Sequence, residues 1–189
     1  PGATQKEDFE TGTKAAIAGG YTAILDMPNN PIPTISEQAL NQKINLATGR
    51  IYCDVGFNFG ATATNSEILR QVADKVFGLK VYMNHTTGDL LMEEDKALED
   101  IFSKWPKEKV IMVHAEGQTL QKAINLAKEF KSRLHVCHVS QKSEIELIKK
   151  TKKDLEISCE VSCHHLFLNK QDVKKLGPFG MMRPPLATE

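Results

Sequence analysis

Net charge is missing from this chain: 24 Lys and Arg stand against 24 Asp and Glu in 189 residues. A chain without net charge offers no broad basic field for nucleic acid or an anionic membrane surface. The run from Lys149 to Lys153 and the pair Lys174-Lys175 are locally basic, but acids lie close by, and both read as solvated helix faces. Long apolar runs are lacking too. No stretch nears the roughly 20 residues of a membrane span, and the first residues do not follow the basic-then-apolar order of a signal peptide, so a cytoplasmic location is expected. Cysteine is scarce, 4 in all, too few for a disulfide framework at this length. Three of them, Cys137, Cys159 and Cys163, fall near His138, His164 and His165, which brings metal binding into consideration. A phosphate loop, a dinucleotide fingerprint and a Gly-x-Ser-x-Gly elbow are all absent, which removes the chemistries they serve. The chain opens Pro1-Gly2-Ala3 and closes Ala187-Thr188-Glu189, and it reads as an excerpt of a longer protein.

What is present is an alternation. Six apolar runs of strand length (21–27, 51–57, 77–83, 109–114, 133–139 and 155–161) are interleaved with segments of helical period (6–18, 36–48, 66–75, 93–104, 118–131 and 142–153, with a shorter one at 171–176). Connections are short, and no linker or change of composition interrupts residues 1–189, so one α/β domain with a parallel sheet is predicted. Doubly wound sheets and (β/α)₈ barrels share that alternation. The placement of polar residues favours the barrel: Asn29, Lys80, His114, His138 and the Glu160 to His165 cluster all fall at or just past the C-terminal ends of successive runs. In a barrel those ends converge on one mouth, whereas an open sheet spreads them along an edge at about 4.8 Å per strand.

Several of these residues could carry chemistry. His114 and His138 leave consecutive strand ends; each alone could be a packed histidine, but together they form a pair of nitrogen ligands suited to zinc. Lys80 sits inside an apolar strand, where a free ammonium is costly unless paired. It either snorkels to water or reacts with a small electrophile such as carbon dioxide, giving a carbamate able to bridge two metals. Cys137, Glu160 and His165 form a third group, but Cys137 and His138 point to opposite faces of a regular strand, as do Glu160 and His165. They face one metal only where the chain leaves strand geometry near Ser140 and Ser162; otherwise Cys137 is a small buried hydrophobe. Asn29 follows Met27-Pro28 as either a turn former or an amide presented to a ligand. Arg183, stiffened by Pro184-Pro185, is either a surface residue or a clamp for a carboxylate. The polar stretch Asn84 to Asp89, with Gly88 as hinge, suits an active-site lid.

Pro1 to Phe9, Ala15 to Thr22 and Met27-Pro28-Asn29 resemble the start of cyclic amidohydrolases, dihydroorotases above all. Gly78 to Asn84, Val113 to Glu116, His135 to Val139 and Cys159 to Leu168 look most like the dihydroorotase domains of animal multifunctional pyrimidine-synthesis proteins. The resemblance implies an amidohydrolase-type (β/α)₈ barrel, here with about six of its eight strands, spanning 1–189 as one partial metal-dependent domain. It implies a zinc enzyme that interconverts N-carbamoyl-L-aspartate and L-dihydroorotate in pyrimidine synthesis. Carried over, Lys80 is the carboxylated lysine bridging two zinc ions, His114 and His138 are ligands of one of them, and Cys137, Glu160 and His165 surround a third. Asn29 and Arg183 bind the substrate carboxylate, and Thr86 lies on the catalytic loop. The family carries an aromatic residue after that threonine, where this chain has Thr87. The family's His-x-His-x-Arg-Asp segment would precede Pro1, and its acid/base Asp would follow Glu189, so the chain alone is expected to be inactive. A homodimer, or a place in a multifunctional protein, is implied as well. Dihydropyrimidinase or hydantoinase activity, and a non-catalytic assembly domain, are the alternatives.

Overall fold

Strand-forming runs and helical periods alternate in the structure as they do in the sequence. The computed structural model describes residues 4–188. Six strands, β1 (Ala23–Asp26), β2 (Asp54–Gly60), β3 (Gly78–Tyr82), β4 (Val110–His114), β5 (Arg133–Val136) and β6 (Ile157–Cys159), form one sheet in sequence order. Every neighbouring pair is parallel. Each crossover carries helix: α2 (Glu37–Ala47), α3 (Leu69–Val72), α4 (Asp95–Lys104), α5 (Gln118–Phe130) and α6 (Lys142–Thr151), with α1 (Phe9–Ala18) ahead of β1 and α7 (Cys163–Phe167) and α8 (Val173–Leu176) after β6.

The helix ends follow local chemistry. Asp8 caps α1 by accepting from the Thr11 amide, and Ser36 does the same for the Ala39 amide at the start of α2. Gln141 and Glu144 form a reciprocal box at the head of α6. The continuous helix expected over 66–75 is instead one α turn between two 3₁₀ turns, Ser66–Ile68 and Ala73–Lys75. β2 begins later and runs further than the apolar pattern indicates, because Asn58 and Gly60 lie within it. α7 falls on residues read as the continuation of a strand-end cluster.

Curvature makes this sheet an arc of a barrel. Laid flat at about 4.8 Å per strand, β1 and β6 would stand roughly 24 Å apart. Instead Ile24 and Leu25 of β1 and Ile157 and Ser158 of β6 line the same trough, of about 780 Å³. The helices cover the convex side, where Leu98, Ile101 and Phe102 of α4 and Leu120, Ala123 and Ile124 of α5 pack on Leu79, Val81, Ile111 and Val113 of β3 and β4. β3 and β4 are thus the most deeply buried part of the arc, and they deliver Lys80 and His114. Among the described residues, no helix is long and apolar enough to cross a membrane.

Leu98 is fully buried beneath this layer, while Glu99 beside it is exposed. Leu98→Ala is expected to cost about 2–5 kcal/mol of unfolding free energy and Glu99→Ala less than about 0.5 kcal/mol, read from urea midpoints.

Candidate metal and substrate site

Lys80 lies in the middle of β3 at 2% exposure, and its Nζ has no hydrogen-bond partner among the described residues. The ammonium stands 5.0 Å from the centroid of the Tyr82 ring and beside the Cys137 thiol. Snorkelling to water is therefore not what this side chain does. Burial pushes the Tyr82 hydroxyl up and also raises the Cys137 thiol, against the pull of Lys80.

His114 closes β4 with its ring wholly buried, and its Nδ1 lies 3.0 Å from Nε2 of His138. The two rings are hydrogen-bonded to one another at that distance, and two nitrogens held at about 2.0–2.1 Å by one tetrahedral zinc would stand about 3.3 Å apart, a small opening of the same pair. On its other side, His114 Nε2 is 3.6 Å from the Glu116 carboxylate, beyond hydrogen-bond distance, and has no hydrogen-bond partner among the described residues. Burial, then the charges of His138 and Lys80, lower His114 to about 3; burial and Lys80 lower His138 to about 4. Both rings are neutral at pH 7, the form that binds metal. Burial, reinforced by Glu144, raises the Glu116 carboxyl, while Arg183 and His165 oppose that shift.

The conflict of strand faces at Cys137 and His138 is resolved earlier than Ser140. β5 ends at Val136, and His138 adopts φ of 38°, in the left-handed region that few residues other than glycine occupy. That twist turns the imidazole towards His114 while Cys137 stays buried at 2% exposure. Among the described residues, the ligand atoms that group within 4.8 Å are those of His135, Cys137 and Glu160. His135 Nδ1 pairs with Ser158 Oγ at 2.9 Å, and its Nε2 is 3.6 Å from Glu160 Oε2. His165, expected in this group, is on α7 instead, with Nε2 3.1 Å from the Pro184 carbonyl oxygen. The signal for His135 was in the sequence, since residues 135 and 137 share a strand face.

On the substrate side, Thr86 and Arg183 line one cavity of about 700 Å³, together with Thr87, Lys170 and Lys174. Asn29 reaches the same loop from β1, its Nδ2 donating to the Thr87 carbonyl at 3.0 Å. Two supporting residues went unread in the sequence. Asn84 Oδ1 accepts from the Glu116 amide and the Thr119 hydroxyl, tying the exits of β3 and β4 together. Glu144, buried on α6, accepts from the amides of Gly117, Ser140 and Gln141, tying the exits of β4 and β5.

A scan against protein-family models finds no match. Individual proteins do match. The multifunctional protein CAD of Squalus acanthias is 42% identical over 194 residues, covering all of this chain and 8% of that protein. The dihydroorotase of Methanosphaera stadtmanae is 34% identical over 98% of this chain and 50% of its own length. The chain resembles the dihydroorotases along its whole length. It spans about half of the dihydroorotases it matches. Among solved structures, the L-hydantoinase of Arthrobacter aurescens superposes with a TM-score of 0.87 at 25% identity, covering 95% of this chain and 48% of that one. The inactive dihydroorotase-like domain of a Chaetomium thermophilum CAD-like protein gives 0.79 at 29% identity, covering 93% and 50%. The six-stranded arc therefore has the fold of part of an amidohydrolase-type barrel, similar in sequence to dihydroorotases, with its polar residues on the strand exits.

The two lowered histidines set a pH dependence. An unfolded chain takes up protons at His114 and His138 below about 6.5, whereas the folded chain does so only near 3 and 4. Their contribution to stability is whole above pH 6.5 and falls as pH drops through that window, by up to about 1.4 kcal/mol per pH unit per group. Metal-free protein should show a lower urea midpoint at pH 5.5 than at pH 7, and His114→Asn should shrink the difference.

Proposed function

We propose that the full-length protein carrying this chain is a zinc-dependent dihydroorotase, closing N-carbamoyl-L-aspartate to L-dihydroorotate and reopening it. The observation that carries this reading is the buried, unpartnered Lys80 ammonium set beside two neutral imidazoles on adjoining strand exits. Such an arrangement is costly as a packing element and fits a metal centre. As a neutral amine, Lys80 would add to carbon dioxide with loss of one proton, and the carbamate would offer two oxygens to a metal centre that His114 and His138 would also hold. Cys137 and Glu160, with His135 where His165 was expected, form the group for a further ion. Zinc held at these residues supplies Lewis acidity towards the ring amide and lowers the pKa of water towards about 7.

The chain's own residues then bind and orient. Asn29 and Arg183 take the carboxylate of the substrate, and the Thr86 loop covers it, so that the reacting atoms stay at near-attack distance. The cationic lining of the cavity, Arg183 with Lys170 and Lys174, suits an acidic substrate better than the uncharged rings of hydantoinases. The likeness to a multifunctional protein supports placement within a larger polypeptide; on the same reading that polypeptide serves pyrimidine synthesis in the cytoplasm as a homodimer.

The test is a zinc-supplemented assay of the full-length protein with L-dihydroorotate, N-carbamoyl-L-aspartate and dihydrouracil. Turnover of the first two alone is expected. Lys80→Ala should lower kcat more than about 100-fold, since even the outer partners of metal ligands are worth 10–100-fold. Turnover of dihydrouracil alone would assign a hydantoinase-type activity. A folded, zinc-loaded protein that turns over neither ring would be an assembly domain.

A further inference from the structure

α2 buries a lysine on its apolar face. Leu40, Lys43 and Ala47, spaced as one helical stripe, are all buried, Lys43 to 3% exposure. Its ammonium does not reach water. It donates to Asp26 Oδ2 at 2.5 Å, to the Met27 carbonyl at 3.3 Å and to Asn30 Oδ1. These three acceptors bracket the turn Met27-Pro28-Asn29-Asn30 at the exit of β1. The far side of the turn is pinned by the Thr34 amide, which donates to the Pro28 carbonyl at 3.0 Å. Asn29 reaches outward from the turn to the Asn84–Asp89 loop, through its bond to the Thr87 carbonyl. Gly88 packs on the same asparagine: a Cβ there would lie 3.5 Å from the Asn29 Cβ, and its φ of 92° is one that glycine alone adopts freely.

We infer that Lys43 is a positioning residue, which by clamping Asp26, Met27 and Asn30 fixes the turn that presents Asn29 to the substrate and to the Thr86–Gly88 loop. The inference rests on the dihydroorotase reading for its substrate, and on geometry alone for its effect on the loop. Burial pushes the Lys43 ammonium down, and the Asp26 carboxylate holds it charged against that pressure. A charged clamp is needed because only an ammonium offers three donors to three oxygens from one point. Methionine keeps the buried stem and loses all three bonds.

The experiment compares wild type, Lys43→Met, Asn29→Ala and the double variant of the full-length, zinc-loaded protein. If Lys43 acts through Asn29, Lys43→Met raises KM for L-dihydroorotate roughly tenfold, the weight of one hydrogen bond, with a smaller change in kcat. On the Asn29→Ala background it then adds nothing further. A merely structural role would give the same additional loss on both backgrounds, and that result, or an unchanged KM, overturns the inference. Hydrogen exchange of the amides from Asn84 to Asp89, read on the same proteins, is independent of turnover. It should quicken in Lys43→Met and in Asn29→Ala alike; unchanged exchange in Lys43→Met overturns the clamp even if the wild type proves inactive on dihydroorotate. Should Lys43→Met fail to fold, Asn30→Ala removes one acceptor, keeps the ion pair, and is read by the same two measurements with the same expectations.

Discussion

A lysine ammonium closed off from water, with no hydrogen-bond partner among the described residues, is the constraint on which the rest of this structure turns. Removing such a charge from solvent costs several kcal/mol unless something neutralises or binds it. The packing of β3 relieves only part of that cost: around the ammonium stand the Tyr82 ring, the Cys137 thiol and two imidazoles that burial above all keeps unprotonated. A folded protein retains such a residue where its nitrogen is used. The neutral state of His114 and His138 follows from the same burial, so the feature that makes Lys80 expensive also leaves its neighbours in the form that can bind metal.

The scaffold supplies the precision. A curved parallel sheet gathers strand exits that a flat one would scatter, and hydrogen bonds from Asn84 and Glu144 lock adjoining exits to one another. His138 accepts a left-handed backbone, worth about 1–3 kcal/mol of strain, to bring its ring within 3.0 Å of His114. Strain of that kind persists where the surrounding bonds overdetermine it, and here the Cys137 and Val139 amides donate to Val113 and Glu160 on either side.

Much of this was legible in the sequence. All six strands and their parallel order follow from apolar runs alternating with helical periods, and the barrel reading follows from polar residues recurring at the same end of each run. Lys80 stood out because an apolar strand tolerates a lysine badly. Less visible were features that depend on three-dimensional closure. His135 shares a strand face with Cys137, but the resemblance pointed to His165, which instead sits on α7 against the Pro184 carbonyl oxygen. Lys43 went unread although its place on the Leu40–Ala47 stripe marks it as buried, since nothing in the sequence says which carboxylate and carbonyls await it. The break of helix over 66–75 into short turns likewise goes with tertiary packing, the segment lying against α4 with Leu69, Val72 and Ala73 buried, which local propensity does not encode.

Whether Lys80 organises metal separates a metal centre from a merely buried cation. Zinc content of the purified full-length protein, measured for wild type and for Lys80→Ala after the same dialysis, addresses that directly. A bridging role predicts about two or more zinc ions per chain in the wild type and a loss of at least one in the variant. Equal zinc content in the two proteins, with both folded, would contradict it and leave Lys80 as a buried cation without a function.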